Sequence, residues 1–250
     1  MTPHLQFNPT TNEPFLPVPF PQNTNTNTAI ILTPYRPAAH DADHLIHSLN
    51  DPLIYRWLLT PPVPYTRAHA EQWMHTCTQH ARSVLAAIQE RADDNGNCGR
   101  KKWANGCPVR VIREVRRTDD DGGVEEVFLG DVAMSRHTFY EVRDEEERAE
   151  RKRVNDEREA GDEEITGSSP HHGKGIMTAA LKALIDWAVI NMNVHHIRAL
   201  VSSENIGSCR VFEKNGFVLL ETLKDVFVLP EIKGGGTDSI HVFGWTRADN

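Results

Sequence analysis

The stretch His171-His172-Gly173-Lys174-Gly175-Ile176-Met177-Thr178 combines residue types that suit phosphate binding. Two glycines one residue apart allow the backbone to turn tightly and expose its N–H groups. An apolar helical face follows at once, made of Met177, Leu181, Leu184, Ile185 and Ala188. Because a helix N-terminus carries free N–H donors and a partial positive charge, it favours a pyrophosphate group. A glycine turn before an ordinary core helix has the same pattern.

The spacing of these glycines excludes two common nucleotide motifs. Five residues separate Gly167 from Gly173, and Lys174 is followed by Gly175. A P-loop needs four residues between its glycines and a Ser or Thr after the lysine. A dinucleotide-binding fingerprint needs a third glycine. Another phosphate-bearing ligand therefore has to be considered, with Lys174 and His172 as additional side-chain donors.

The elements around this stretch alternate between strands and helices. Glu163–Ser168 is predicted as a brief strand, followed by a helix over Gly175–Asn191 and a buried-type strand over His196–Val201. A short helix then runs to about Asn215, and Gly216 ends it. The two final strands are predicted at Phe217–Leu229 and Ser239–Trp245, joined by a loop with three glycines.

The N-terminal half supplies further strands and two helices. One helix covers Ala38–Leu49, and a second starts at the N-cap Thr66 and is expected to bury Ala70, Trp73, Met74 and Cys77. The predicted strands are Ala29–Thr33, Ser83–Gln89, Val109–Val115 and Val127–Met134. The order indicates an α/β (α+β) fold with a mixed, mostly antiparallel central sheet of about seven strands and flanking helices.

Composition shifts divide the chain into a tail and one domain. Residues 1–28 are rich in Pro, Asn and Thr and are expected to be a disordered or surface-laid tail. Residues 29–250 form the domain, with insertions at about 90–125 and 141–162. The second insertion is a mixed-charge run with almost no apolar face, which predicts a solvated helix or a disordered segment.

The overall composition argues against several classes of protein. A net charge of −8 is unlike the basic face of a nucleic-acid-binding protein. No apolar run reaches the length of a membrane span, and the first residues are unlike a secretory signal. The four cysteines show no paired metal-ligand spacing, although Cys98 and Cys107 share a loop. We therefore expect a soluble, cytoplasmic protein with free thiols and no bound metal.

Three blocks of sequence resemble one protein family. His172-Gly173-Lys174-Gly175-Ile176-Met177 resembles the Q/R-x-x-G-x-G/A signature of the GNAT superfamily of N-acetyltransferases, and its Gly-Lys-Gly-Ile-Met-Thr form is similar to the ribosomal-protein N-terminal (Rim-type) branch. Asn205–Ser208 followed by Val211–Phe217 resembles the family's N-x-x-S-x-x-[V/L]-x-E-K-x-G-F block. Pro64-Tyr65-Thr66, with Ala70 and Trp73, resembles the start of the second Rim-type helix. The resemblance extends from about Ala29 to Trp245.

The resemblance implies acetyl-CoA as co-substrate. Its pyrophosphate would meet backbone N–H groups of Gly173, Lys174, Gly175, Ile176, Met177 and Thr178. Its pantetheine arm would pair with exposed backbone between the strand before this loop and the strand His196–Val201. His172 departs from the usual Gln, Arg or Trp, so we expect the backbone rather than the His172 side chain to bind the phosphate. The implied reaction is direct attack of an amine on the thioester in a ternary complex.

The resemblance also implies the groups that handle protons. Many GNAT enzymes place a tyrosine where this chain has Phe212, whereas Rim-type members place a serine at Ser208, which we expect to hydrogen-bond the CoA sulfur. Ser208 could equally cap its helix, and Asn205 could be N-cap, cofactor contact or both. For the base, Glu164 ranks first, beside Glu163. Asp131, Asp225 and a water chain are the alternatives.

The acceptor is an amine, either a protein N-terminal α-amino group or a small molecule. Its pocket is expected between the Pro52–Tyr65 connection and the Pro230–Asp238 loop. A different class of function stays open, in which a catalytically inactive GNAT-fold protein binds acyl-CoA as a sensor or interaction module. The substitutions at Phe212 and His172 motivate that alternative. The oligomeric state does not follow from the sequence.

Overall fold

The structure, a computed structural model, describes residues 4–19, 28–36, 40–58, 60–93, 103–117, 123–169, 171–172 and 176–248. The α-helices are α1 Asp41–Leu49, α2 Pro52–Tyr55, α3 Arg67–Asp93, α4 Glu145–Glu157, α5 Ile176–Asn191 and α6 Ile206–Lys214. The strands are β1 Gln6–Phe7, β2 Pro14–Val18, β3 Thr28–Thr33, β4 Val111–Arg117, β5 Val124–Val132, β6 Ser135–Arg136, β7 Thr166–Ser168, β8 His171–His172, β9 His196–Ser202, β10 Val218–Val228 and β11 Thr237–Thr246.

These strands form two sheets rather than one sheet of about seven strands. The first has the order β1-β2-β3-β4-β5-β8, and the second has the order β10-β11-β9-β7-β6. Only the pairing of β7 with β9 is parallel among the described strands, and all other pairs are antiparallel. The predicted mixed, mostly antiparallel α/β fold is thus confirmed.

The helices cover opposite faces of the first sheet. Val111 packs in a cluster with side chains of α1 and α3, whereas its neighbour Ile112 packs in the main core with α5. This opposition follows from the alternation of side chains along a strand. On β9, Ile197, Ala199 and Val201 belong to the α5 core. Arg198, Leu200 and Ser202 therefore project from the other face of the second sheet. We call this side of both sheets, where α1 and α3 cover Val111 of the first sheet, the α3 face.

Helix α5 lies deepest in the fold. Eight of its sixteen residues are buried, among them Trp187, Leu181 and Leu184. Full burial of such a side chain stabilises a fold by about 1.5–3 kcal/mol. The helix that follows the predicted phosphate loop is therefore rigidly placed.

The predicted strand Ser83–Gln89 is wrong, because α3 continues without a break from Arg67 to Asp93. Cys77, Ala81 and Val84 are buried at helical spacing, and Ile88 packs against the same core. A short apolar run does not distinguish a buried helix from a strand. Trp73 was also expected inside, but its side chain is 42% exposed.

Part of the segment expected to be a tail belongs to the first sheet. Strand β2 pairs with β3, and its Leu16 is completely buried against the core. The Asn- and Thr-rich run at 23–27 lies outside the described residues. Pro14-Phe15-Leu16-Pro17-Val18 shows no alternation of apolar and polar residues, and its two prolines argue against a strand, so the sequence did not indicate it.

The two expected insertions have different outcomes. Within 90–125, β4 is an internal strand of the first sheet, between β3 and β5. Within 141–162, α4 is a solvated helix that is nevertheless anchored. Its Asn155 is 3% exposed, accepts a hydrogen bond from the Thr166 N–H and donates to the carbonyl oxygens of Thr166 and His137. The charged insertion thereby fixes the first residue of β7.

Candidate active site

The two sheets separate beside β7. Thr166, Gly167 and Ser168 pair in parallel with His196, Ile197 and Arg198 at the start of β9. The chain then leaves β9, and β8 pairs instead with Asp131 and Val132 of β5. As a result, no described strand pairs with the Ala199–Ser202 edge of β9 that faces β8. We call the gap between β8 and β9 the cleft; along it the described backbone of β9 has no strand partner beyond Arg198, although the Ser202 carbonyl accepts the Asn205 N–H.

Two helices begin at the same end of this cleft. Helix α5 follows β8, and α6 follows β9 after the turn in which the Asn205 N–H donates to the Ser202 carbonyl. Since β7 and β9 run in parallel, their carboxyl ends lie at one edge, where open α/β sheets bind ligands. The first N–H groups of α5 lack intrahelical partners and suit an anionic ligand group, whereas the Ile206 and Ser208 N–H groups of α6 already donate to the Glu204 carbonyl and to Asn205 Oδ1.

The predicted cofactor residues fall partly inside this arrangement. Gly173, Lys174 and Gly175 lie outside the described residues. The backbone of His172 belongs to β8, paired with Asp131. Ile176, Met177 and Thr178 form the first turn of α5, and Met177 is buried in the core. Met177 is thus limited to a backbone contribution.

The second motif block forms α6 and its caps. Asn205 is the N-cap, since its Oδ1 accepts the Ser208 N–H at 3.1 Å. Ser208 is half-buried in the first turn. At the other end, Asn215 Nδ2 donates to the Thr178 carbonyl of α5 at 3.2 Å. Both ends of α6 are therefore fixed relative to the cleft, and Asn205 holds the turn that presents Ser208.

Phe212 is a core residue. It is 2% exposed and lies against the rings of Phe217 and Phe243. The residue at the family's tyrosine position therefore serves packing in this chain.

The candidate bases lie in different surroundings. Glu164 is in the turn before β7, with a mostly exposed side chain that is ion-paired with Arg158. Asp131 is engaged by Arg110, whose Nε and Nη2 donate to its two carboxylate oxygens at 2.7 and 2.9 Å. It also accepts the Tyr35 hydroxyl hydrogen bond at 2.5 Å. These contacts make Asp131 part of a structural ion pair. Asp225 accepts a hydrogen bond from the Thr237 hydroxyl at a bulge of β10.

The surroundings of Asp131 were not foreseen from the sequence. Arg110 donates to Cys77 Sγ at 3.0 Å and lies over the ring of Trp73. Burial, followed by the charge of Asp131, raises the pKa of Tyr35 well above its usual value. Burial also raises the pKa of Cys77 to about 11, so its thiol stays protonated. A cavity of about 140 Å³ lies here between α3 and the ends of β3 and β5.

A second buried pair lies beside β7. His137 is 1% exposed, and its Nε2 lies 2.9 Å from both carboxylate oxygens of Glu141. No motif in the sequence marks His137. Its backbone N–H donates to the Thr166 carbonyl, so this pair supports the same strand residue as Asn155 does.

Other site classes find no support in the described part of the chain. Cys77, Cys107 and Cys209 are free thiols, whereas Cys98 lies outside the described residues. No group of three or more His, Cys, Asp or Glu side chains with metal-binding geometry occurs among the described residues. None of the described helices is long and apolar enough to span a membrane.

Comparison with known families identifies the segment that builds the cleft. Residues 151–218, from α4 to the start of β10, match the model of the acetyltransferase (GNAT) domain. These residues are similar to GNAT acetyltransferases. The predicted resemblance to this family is confirmed over both the glycine-containing loop and the α6 block.

Individual relatives agree with this assignment. A probable N-acetyltransferase, YjcK from Bacillus subtilis, is 49% identical over 47 residues, which are 19% of this chain and 26% of that relative. The chain thus matches about a quarter of the length of this curated relative.

The fold comparison extends over nearly the whole chain. The structure of RimL, the ribosomal L7/L12 α-N-protein acetyltransferase, aligns with a TM-score of 0.52 at 11% identity, covering 98% of this chain and 100% of that one. The structure of a GNAT-family acetyltransferase from Bacillus anthracis aligns with a TM-score of 0.49 at 13% identity, covering 88% of this chain and 95% of that one. The likeness to RimL shows that the chain shares the fold of that protein over nearly its whole length.

Proposed function

We propose that the protein transfers the acetyl group of acetyl-CoA to an amine by direct attack in a ternary complex. The observation that carries this proposal is the departure of β8 from β9. It leaves the Ala199–Ser202 edge open between the N-terminal ends of α5 and α6. The GNAT sequence match covers these same elements.

The cleft offers a binding mode for each part of acetyl-CoA. The amide groups of the pantetheine arm can pair with the open edge of β9 as an added strand would. The pyrophosphate would be bound by backbone N–H groups from Gly173 to Thr178 at the start of α5. Since Met177 is buried, we assign recognition here to the backbone and to the donors of His172 and Lys174.

In the reaction, the amine lone pair attacks the thioester carbonyl carbon, and the C–S bond then breaks. Ser208 is the proposed hydrogen-bond donor to the departing thiolate, held by the Asn205 cap. The proton lost from the attacking nitrogen goes to the proposed base Glu164, directly or through water. Holding both substrates in one cleft supplies much of the rate by reducing the entropic cost of their encounter.

The acceptor is proposed to be an α-amino group of a protein or a small-molecule amine. The acceptor of RimL, named as ribosomal L7/L12, makes protein N-termini one candidate class. The acceptor would approach from the α3 face, because α5 fills the other face of the sheets.

The test measures thiol release from acetyl-CoA with a panel of N-terminal peptides, polyamines and simple primary amines, together with CoA affinity by calorimetry. We expect CoA binding and turnover with at least one acceptor class. CoA binding without acetylation of any acceptor would contradict the proposal and favour an inactive acyl-CoA sensor or interaction module.

The role of Glu164 has a separate test. Glu164→Gln should lower kcat and remove the acidic limb of the pH–rate profile, with CoA affinity unchanged. An unchanged profile would assign proton removal to water. The matched control is Glu163→Gln, one residue earlier in the same turn.

A further inference from the structure

The loop between β10 and β11 makes a polar contact with a distant part of the chain. It contains a 3₁₀ turn, Glu231–Lys233, followed by Gly234, Gly235 and Gly236. The Lys233 Nζ donates to the Leu58 carbonyl oxygen at 2.5 Å and lies 3.5 Å from that of Pro61. These carbonyls belong to the connection between α2 and α3.

This contact joins the two sheets on one side of the cleft. The β10–β11 loop extends from the second sheet, near the end of β9, because Ser203 N–H donates to the Ser239 carbonyl. The connection before α3 belongs to the helical layer on the first sheet, where α3 packs on Val111. Lys233 therefore spans from one sheet to the helical layer of the other, on the α3 face.

The contact requires a cationic hydrogen-bond donor at this position. Burial lowers the pKa of Lys233. No described carboxylate lies within ion-pair distance of its ammonium group, so carbonyl oxygens replace the water it has lost. A desolvated ammonium needs such partners, and hydrogen bonds from charged donors are stronger than neutral ones.

The backbone of the loop supports the same geometry. Gly234, Gly235 and Gly236 have φ values of 105°, 64° and 77°, which L-residues with side chains rarely adopt. A side-chain carbon added at any of them would meet no described atom within 4 Å. The glycines are thus required by the turn of the backbone rather than by crowding, and this turn directs Lys233 at the α2–α3 connection.

We propose that Lys233 is a positioning residue that sets the width of the acceptor entrance by tethering the β10–β11 loop to the α2–α3 connection. This inference rests on the proposed function, because it assumes that the amine enters from the α3 face. The tether holds the two loops in place before the acceptor arrives, which lowers the ordering cost of binding.

The decisive measurement is hydrogen–deuterium exchange of the full chain without ligands. In Lys233→Met, which keeps the length and loses the charge, exchange in residues 50–66 should become faster by about tenfold, as expected for loss of one charged hydrogen bond. Lys224→Met, on the exposed part of β10, is the matched control and should leave the exchange rate of residues 50–66 unchanged. Lys233→Arg should restore slow exchange at least in part.

Steady-state kinetics then tests the role of the tether. In Lys233→Met, the KM for the acceptor should rise about tenfold while the KM for acetyl-CoA is unchanged. Unchanged exchange in residues 50–66 overturns the tether, and faster exchange with an unchanged acceptor KM overturns its positioning role. If the wild type acetylates no acceptor, the proposed function fails, whereas the exchange experiment still decides whether Lys233 joins the loops.

Discussion

The two sides of the cleft are built in different ways. The proposed cofactor side, from β7 to α6, consists of strands and helix ends that lie close together in the sequence. The α3 face is assembled from side chains far apart in the chain: Tyr35, Arg110 and Asp131 meet there, and Lys233 reaches Leu58. The family match covers the first side and ends before the loop that carries Lys233. A site built from neighbouring backbone groups can be detected as a short sequence motif, whereas a site built from side chains that are distant in the chain cannot.

The largest effect should come from breaking the buried charge pair on the α3 face. Arg110→Met leaves the Asp131 carboxylate, with an exposed side-chain fraction of only 17%, without its cation. We expect a loss of about 3–5 kcal/mol in the free energy of unfolding, because an uncompensated buried charge is costly. Unfolding in denaturant measures this loss of stability.

The control for this variant is Arg153→Met on α4. Arg153 pairs with Glu150 and Glu157 on an exposed helix surface, and all three side chains are more than half exposed. Exposed pairs contribute little, so its unfolding midpoint should not change measurably. Equal losses in the two variants would mean that burial does not distinguish these regions.

The next effect concerns the cofactor side. Ser208→Ala should lower kcat about 100-fold, since donors to a leaving group contribute at least that much. CoA affinity and the unfolding midpoint should be unchanged, because the cap uses the Ser208 backbone N–H and not its hydroxyl. Ser203→Ala, in the turn before α6, is the control. A retained kcat would make Ser208 a purely structural residue.

A smaller effect should follow from loosening the insertion. Asn155→Ala leaves the backbone groups of Thr166 without their side-chain partner and should destabilise the fold by about 1–3 kcal/mol. Asp156→Ala, the neighbouring exposed residue, serves as control in the same unfolding assay. If the two variants were equally stable, α4 would be only a solvated insertion.

The smallest effect is a pH dependence at the His137–Glu141 pair. Burial alone would raise the pKa of Glu141, but the hydrogen bonds and charge of His137 outweigh it and hold this pKa below its usual value. The carboxylate therefore stabilises the fold above its unfolded-state pKa of about 4.3, and this stability is lost as the pH falls through the lower folded-state pKa.

Unfolding measured between pH 3 and pH 7 tests the sign of this effect. The stability difference between wild type and Glu141→Gln should favour the wild type at neutral pH and shrink on acidification. A stability difference between wild type and Glu141→Gln that grew on acidification would contradict the lowered pKa of Glu141.

The accuracy of the sequence-based predictions follows the same division. The boundaries of α5, β9 and α6 were predicted closely because glycines, an N-cap and helical periodicity mark them locally. Residues 83–89 were misassigned to a strand because a short apolar run fits both periods. Pro14–Val18 was missed because its partner strand β3 decides whether it is ordered.

The sequence by itself determined the resemblance to GNAT acetyltransferases and the mixed α/β class, because these depend on local backbone preferences and short motifs. Only the tertiary structure decided that Asp131 is paired with Arg110, that Phe212 is core, that Asn155 anchors the charged insertion and that Lys233 joins two loops. Such contacts depend on which distant segments the core brings together, and burial then sets how strongly each charge or hydrogen bond counts.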